Sequence, residues 1–310
     1  SIFNYNTTTY LHTSANANTS NIYYYVESRT NCGVQYSLPS DTLHGIKLNV
    51  TAIPPGAGSV ANLQWNELHS PLLPTSDQYY KIYKEYPVGT WTFLDSTTAL
   101  TYLDTINLCD AFISYRVEIG DASGCNSVSS IDGDQFQDNT PPDLTVLDTV
   151  SVNPANGQVS ISWLQNNSTD AMGYIIYLFN GASWDSIGNI SGLSNLSFLN
   201  TASNANNVVE NYSIAAYDSC GNIAPLGVRH NTILLSDSLD KCNASIILKW
   251  NPYINMPGGL SSYNIMMSEN GGPYQLLASV GPADLTYTHM NVKKDSLYCY
   301  YIQAVGDLVT

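Results

Sequence analysis

Apolar and polar residues alternate along this chain in short runs, and three of the runs close on a tryptophan: Ala61-Asn62-Leu63-Gln64-Trp65, Val159-Ser160-Ile161-Ser162-Trp163 and Ser245-Ile246-Ile247-Leu248-Lys249-Trp250. A period of two places successive side chains on opposite faces, the signature of a half-buried strand. Each tryptophan is followed 11 to 15 residues later by a Tyr-x-Ile run, at Tyr80-Lys81-Ile82, Tyr174-Ile175-Ile176 and Tyr263-Asn264-Ile265. A second aromatic run comes about 50 residues after the tryptophan, at Tyr115-Arg116-Val117, Tyr212-Ser213-Ile214 and Tyr300-Tyr301-Ile302. The tryptophans lie 98 and 87 residues apart, so the repeating unit is a small domain and not a solenoid turn. Tyr24-Tyr25-Val26 repeats the last motif near the start, 91 residues before Tyr115, without a tryptophan run of its own. Tyr10, Tyr102, Phe198 and Tyr287 precede these tyrosines by 13 or 14 residues in every unit.

Gly, Pro and Asn punctuate the strands, and no amphipathic helical stretch occurs. The expected class is all-β, a tandem series of β-sandwich domains of immunoglobulin-like type. The expected domains are 1–52, the C-terminal part of a sandwich; 53–140 and 141–236, two whole sandwiches; and 237–310, a sandwich without its last strand. Junctions are read at Ile53-Pro54-Pro55-Gly56, Thr140-Pro141-Pro142-Asp143 and Ser236-Asp237-Ser238-Leu239-Asp240, where proline pairs would stiffen the connection. Both terminal units are expected to lack strands, which flanking sequence or a neighbouring copy would supply, because a bare edge strand invites aggregation.

Charged residues make up 11% of the chain and the net charge is −15. An acidic surface repels phosphate backbones and anionic headgroups, so nucleic acid and direct membrane binding are both disfavoured. No apolar run is long enough to span a bilayer as a helix.

Six cysteines carry information through their placement. Cys242 and Cys299 stand at the starts of the second and sixth strands of the last unit, at one pole and across the core. A bridge there would staple the two sheets and contribute roughly 3–4 kcal/mol, the alternative being two buried thiols. Cys109 precedes the sixth strand of the second unit, at the pole that meets the third, so a bridge across that junction to Cys220, in the turn after the third unit's sixth strand, is a second candidate. Cys32 and Cys125 lie in turns after the sixth strand. Bridges imply an oxidising, extracytoplasmic compartment.

The strand tryptophans, the Tyr-x-Ile runs and the later tyrosines together resemble fibronectin type III domains. More narrowly, Cys242, Leu248-Lys249-Trp250-Asn251-Pro252-Tyr253, Tyr298-Cys299-Tyr300-Tyr301-Ile302, Tyr217-Asp218-Ser219-Cys220-Gly221-Asn222 and His230-Asn231-Thr232-Ile233-Leu234-Leu235 resemble tandem repeats of large surface proteins of Bacteroidetes. Those are gliding-motility-associated proteins exported by type IX secretion. The resemblance implies an extracellular address on a bacterial surface. It also implies O-glycosylation at Asp-Ser/Thr sites followed by an apolar residue or Thr, here Thr42, Ser96, Thr105, Thr149, Ser186, Ser238 and Ser296. Asp-Ser and Asp-Thr are also ordinary turn formers.

Candidate chemistry is sparse. Asp132, Asp134, Asp138, Asp143 and Asp170 gather near the Pro141-Pro142 junction, where oxygen ligands would hold Ca²⁺ at a domain joint; the alternative is a solvated acidic hairpin. Trp91 and Trp184 open equivalent edge strands, where a ring would stack on a sugar, meet a protein partner or only cover the sheet edge. His12 and His289 hold equivalent places in the repeat. No nucleophile elbow, zinc-protease helix motif or phosphate loop occurs, so the reading is non-catalytic and no cofactor is expected. The expected function is a stalk or adhesin segment that spaces or presents other domains and meets protein partners or surface glycans. The alternative is an accessory module of a secreted polysaccharide-degrading enzyme.

Overall fold

The computed structural model describes residues 6–29, 35–56 and 58–306. Among them every regular element is a strand. The chain divides into two compact units, Ser1–Thr140 and Pro141–Thr310.

The first unit holds β1 (Tyr23–Tyr24), β2 (Leu43–His44), β3 (Leu48–Ile53), β4 (Val60–Trp65), β5 (Tyr80–Glu85), β6 (Trp91–Thr97), β7 (Thr101–Thr105), β8 (Ala111–Gly120), β9 (Asn126–Val128) and β10 (Asp132–Phe136). β1 and β2 form a small antiparallel pair. The rest is a sandwich. One sheet runs β3-β4-β7; the other runs β10-β8-β5-β6, with β9 on the far end of β8. Strand β8 shows why: Ala111, Ile113, Tyr115, Val117 and Ile119 are all buried while their neighbours are not. One register fits that pattern, since a slip by one residue would turn all five to water.

The second unit holds two sandwiches in sequence. The first comprises β11 (Leu147–Val152), β12 (Val159–Trp163), β13 (Ala171–Phe179), β14 (Trp184–Ser191), β15 (Ser197–Asn200), β16 (Asn211–Asp218) and β17 (His230–Asn231). Its sheets are β11-β12-β15 and β14-β13-β16-β17. The second comprises β18 (Leu235–Asp240), β19 (Ser245–Trp250), β20 (Leu260–Glu269), β21 (Gln275–Val280), β22 (Thr286–Met290) and β23 (Tyr298–Gly306). Its sheets are β18-β19-β22 and β21-β20-β23, and among the described residues no strand lies beyond β23.

Each core is built on one aromatic pair. Trp65 meets Tyr80, Trp163 meets Tyr174 and Trp250 meets Tyr263, with ring centroids 5.6, 5.2 and 5.7 Å apart. The rings meet at steep angles of 66°, 59° and 69°, a geometry worth about 0.5–1.5 kcal/mol beyond the buried area. The recurrence in the sequence is thus the recurrence of a packing contact. His12 and His289 are also equivalent: each Nδ1 lies by a tyrosine hydroxyl, Tyr24 at 3.2 Å and Tyr300 at 2.7 Å.

Two boundaries differ from the sequence reading. Pro54-Pro55 is not a linker: β3 ends at Ile53 and pairs in full with β4, so the prolines sit in the turn between them. The sandwich therefore starts before 53, with Ile46 and Leu48 already in its core. Likewise Ser236-Asp237-Ser238-Leu239-Asp240 lies within β18, paired with β19 from Leu235 to Asp240. Its loop-like composition reflects an edge strand whose middle four residues are exposed.

Candidate functional site: the joint between two sandwiches

An edge strand leaves every second N–H unpaired, and each sandwich must satisfy those of its first strand. In the first sandwich the answer is internal. Leu48 N–H donates to Ser130 Oγ, Val50 N–H to Asp132 Oδ2 and Ala52 N–H to Asp134 Oδ2, at 2.9, 2.8 and 2.9 Å. Alternate side chains of 130–134 thus stitch the two sheets along one seam. Asp132 and Asp134, expected as calcium ligands, each spend one carboxylate oxygen on a backbone amide. An acidic strand looks like a cation site in sequence because the amides it serves lie 82 residues away. Replacing Asp132 and Asp134 together by Ala should lower the stability of this sandwich by about 2–4 kcal/mol, since each charge-assisted bond is worth about 1.5–3 kcal/mol and the sites are neighbours. An unchanged denaturant midpoint would contradict this.

In the next sandwich part of the same task falls to its successor. Val150 N–H, on β11, donates at 2.9 Å to the hydroxyl of Tyr253, which lies after β19 in the following sandwich. The same hydroxyl lies 3.0 Å from Nδ1 of His230, on β17. Tyr253 and His230 are both buried, and their rings meet edge to face at 5.7 Å and 88°. Burial raises the Tyr253 phenol to about 12 and lowers the His230 imidazole to about 4, against a smaller upward pull from Asp148 on the imidazole.

Asparagines complete the joint. Asn231 Nδ2 donates to Pro252 O, and its Oδ1 accepts Ile254 N–H. Asn251 Nδ2 donates to Thr232 O, and its Oδ1 accepts Leu234 N–H. Asn255 Nδ2 donates to Arg229 O. The passage from one sandwich to the next is therefore zipped to the loop 251–255 on both sides. Asn251 follows Trp250 as Asn66 follows Trp65, and Asn66 likewise binds Gly45 O and Lys47 N–H, so Trp-Asn is a device that pins the entering strand.

A groove of about 880 Å³ opens beside this joint, lined by Thr149–Val152 of β11, by Leu235, Asp237 and Ile246, and by Tyr298–Ala304 of β23. It occupies the seam that β10 fills in the first sandwich, where Phe136 packs on Tyr115. Among the described residues the last core has five buried residues against sixteen in the first.

Other expected sites are placed as follows. Cys242 and Cys299 are exposed free thiols, so the predicted bridge between them is absent. Tyr300, Ile302 and Ala304 pack on the core, which turns Cys299 to the outer face of β23 and away from the other sheet. Cys109 and Cys220 are disulfide-bonded, Cys125 is an exposed thiol, and Cys32 lies outside the described residues. Asp138 is buried and accepts Thr140 N–H, Asp143 donates its N–H to Ser168 Oγ, and the Asp170 carbonyl accepts Ser219 N–H. Trp91 is half-buried, with the Arg116 guanidinium over its ring at 4.6 Å and over Tyr83 at 5.0 Å. Trp184 leans on Phe179 at 5.2 Å. Both rings pack on their own sheet. Ser96, Thr105, Thr149, Ser186 and Ser238 are exposed, in edge strands β6, β7, β11, β14 and β18, so these Asp-Ser/Thr pairs are not turn formers. Thr42 and Ser296 are half-buried outside strands.

The strand order sets the class: a three-stranded sheet of first, second and fifth strands faces a sheet of third, fourth and sixth, joined in the two earlier sandwiches by a closing strand. These are fibronectin type III-like sandwiches. No family model matches the chain, and no curated protein does. Among solved structures, the chain is similar to the FN1–FN3 domains of chicken CNTN1, with 13% identity and a TM-score of 0.31 over 84% of this chain and 92% of that chain. The Tyr253 joint links two of these sandwiches.

Proposed function

We propose that this chain is a non-catalytic spacer segment of an extracellular bacterial surface protein, with fibronectin-like sandwiches held in fixed register so that other domains are presented at a set distance. The observation that carries this reading is the joint of the second unit, where no free linker separates β17 from β18 and side chains of one sandwich complete the hydrogen bonding of the other. A flexible tether would leave those amides to water. The disulfide-bonded state of Cys109 and Cys220 supports an oxidising compartment, and the resemblance of residues 217–235 and 242–302 to bacterial surface repeats supports the address. The alternative of a carbohydrate-binding accessory module loses support from Trp91, whose ring is already covered by Arg116.

Residual dipolar couplings on the intact chain at neutral pH test the reading. Amides of β12 and β16 on one side and of β19 and β20 on the other should fit a single alignment tensor. Two tensors of different magnitude would show a flexible tether and end the proposal.

A further inference from the structure

Tyr253 sits in the seam with one hydroxyl and two partners. A phenol oxygen accepts through its lone pairs but carries one proton to give. Val150 N–H already donates to it at 2.9 Å, so the phenol proton points to the acceptor on its other side, Nδ1 of His230 at 3.0 Å. That bond requires a neutral imidazole with its proton on Nε2. A protonated ring would turn an N–H toward the phenol proton and place a charge at a site that is 1% exposed.

We propose that His230 is an acid-sensitive latch: protonation of its imidazole breaks the bond to Tyr253 and releases the last sandwich from its predecessor. The groups around the ring are few. Asp148 on β11 is the carboxylate that favours the charged form. Tyr212 is the cross-strand neighbour on β16, and Arg229 precedes it in the chain. Tyr253 is the contact from the other sandwich. Burial outweighs Asp148 and holds the imidazole at about 4, against an ordinary 6.5. A group depressed in the closed joint binds its proton more tightly once the joint opens. Its contribution is therefore complete above pH 6.5, is lost progressively as pH falls from 6.5 toward 4, and changes no further below.

The latch builds on the closed joint proposed above, and the test separates the two. In the intact chain, hydrogen exchange of the Val150 amide reports the bond to Tyr253, while Ile161 and Ile214 amides report the core of the same sandwich. From pH 7 to pH 4 the Val150 protection factor should fall roughly a hundredfold and the core should hold. His230→Gln retains an acceptor for the phenol proton and does not titrate, so Val150 should stay protected at both pH values. Equal protection in the wild type at pH 7 and pH 4, or equal loss in H230Q, would overturn the latch while leaving the joint. An unprotected Val150 at pH 7 would overturn both. Ring-proton titration of His230 in the wild-type chain is the second measurement: a midpoint below pH 5 is expected, and one near 6.5 refutes the latch.

Discussion

Replacing Trp163 by Ala should cost the β11–β17 sandwich about 3–5 kcal/mol, which approaches the whole stability of a small domain. The ring is buried against Tyr174 and lies in one cluster with Val159, Ile161, Ile176, Tyr212 and Ile214, so its removal leaves a cavity that two sheets meet across. Small side chains nearby offer little to collapse into it: Ala205, Ala215, Ala216 and Ala224 share the core. Trp163→Phe should cost less than half as much, because it keeps an aromatic face for Tyr174 and removes an indole N–H that has no partner in the interior. Exchange protection of β12 and β16 amides reads both variants. Equal losses for Ala and Phe would mean that the indole, not the packed ring, matters.

The second large effect belongs to a charge. Asp104 is 8% exposed, on β7, and one carboxylate oxygen accepts both Lys84 Nζ at 2.8 Å and Tyr115 OH at 2.7 Å. Burial first, then the charge of Asp104, raises the Tyr115 phenol far above its ordinary value, so its proton stays in that bond at any physiological pH. Asp104→Ala leaves a mostly buried ammonium and a buried hydroxyl without their acceptor, and about 3–5 kcal/mol should be lost. The double variant Asp104→Leu with Lys84→Met should recover the part due to the unpaired ammonium, since a buried ion pair contributes little over apolar residues of the same volume, and leave about 1–3 kcal/mol for the Tyr115 hydroxyl still without an acceptor. If the single variant unfolds at the wild-type denaturant concentration, Lys84 reaches water after all.

The cores were legible because packing repeats with the sequence. Trp65, Trp163 and Trp250 end their runs at the same point in the fold, and period-two alternation assigns the inward face without reference to any partner. That rule also excludes the bridge expected between Cys242 and Cys299, for once Tyr300 is inward its neighbour must point out. The double prolines at 54–55 misled because a stiff turn and a stiff linker use the same residues. The polar seams were hidden for another reason: Asp132 to Val50 and Tyr253 to Val150 are contacts between strands distant in sequence, and neither leaves a period. Tyr253 did carry one faint mark. It stands three residues after its tryptophan, where the other repeats have Leu68 and Asn166, and a phenol there lacks a partner within its own sandwich.

That exchange of residues at one position bears on how such a chain grows by duplication. A sandwich bounded at the passage between His230 and Leu235 looks like a cassette, but cut there it would leave Val150 and His230 facing water and Tyr253 with nothing to fill. The piece that keeps every bond of the joint is the pair holding β11 to β23, whereas the sandwich with Leu68 at the matching position has no such hydroxyl to place.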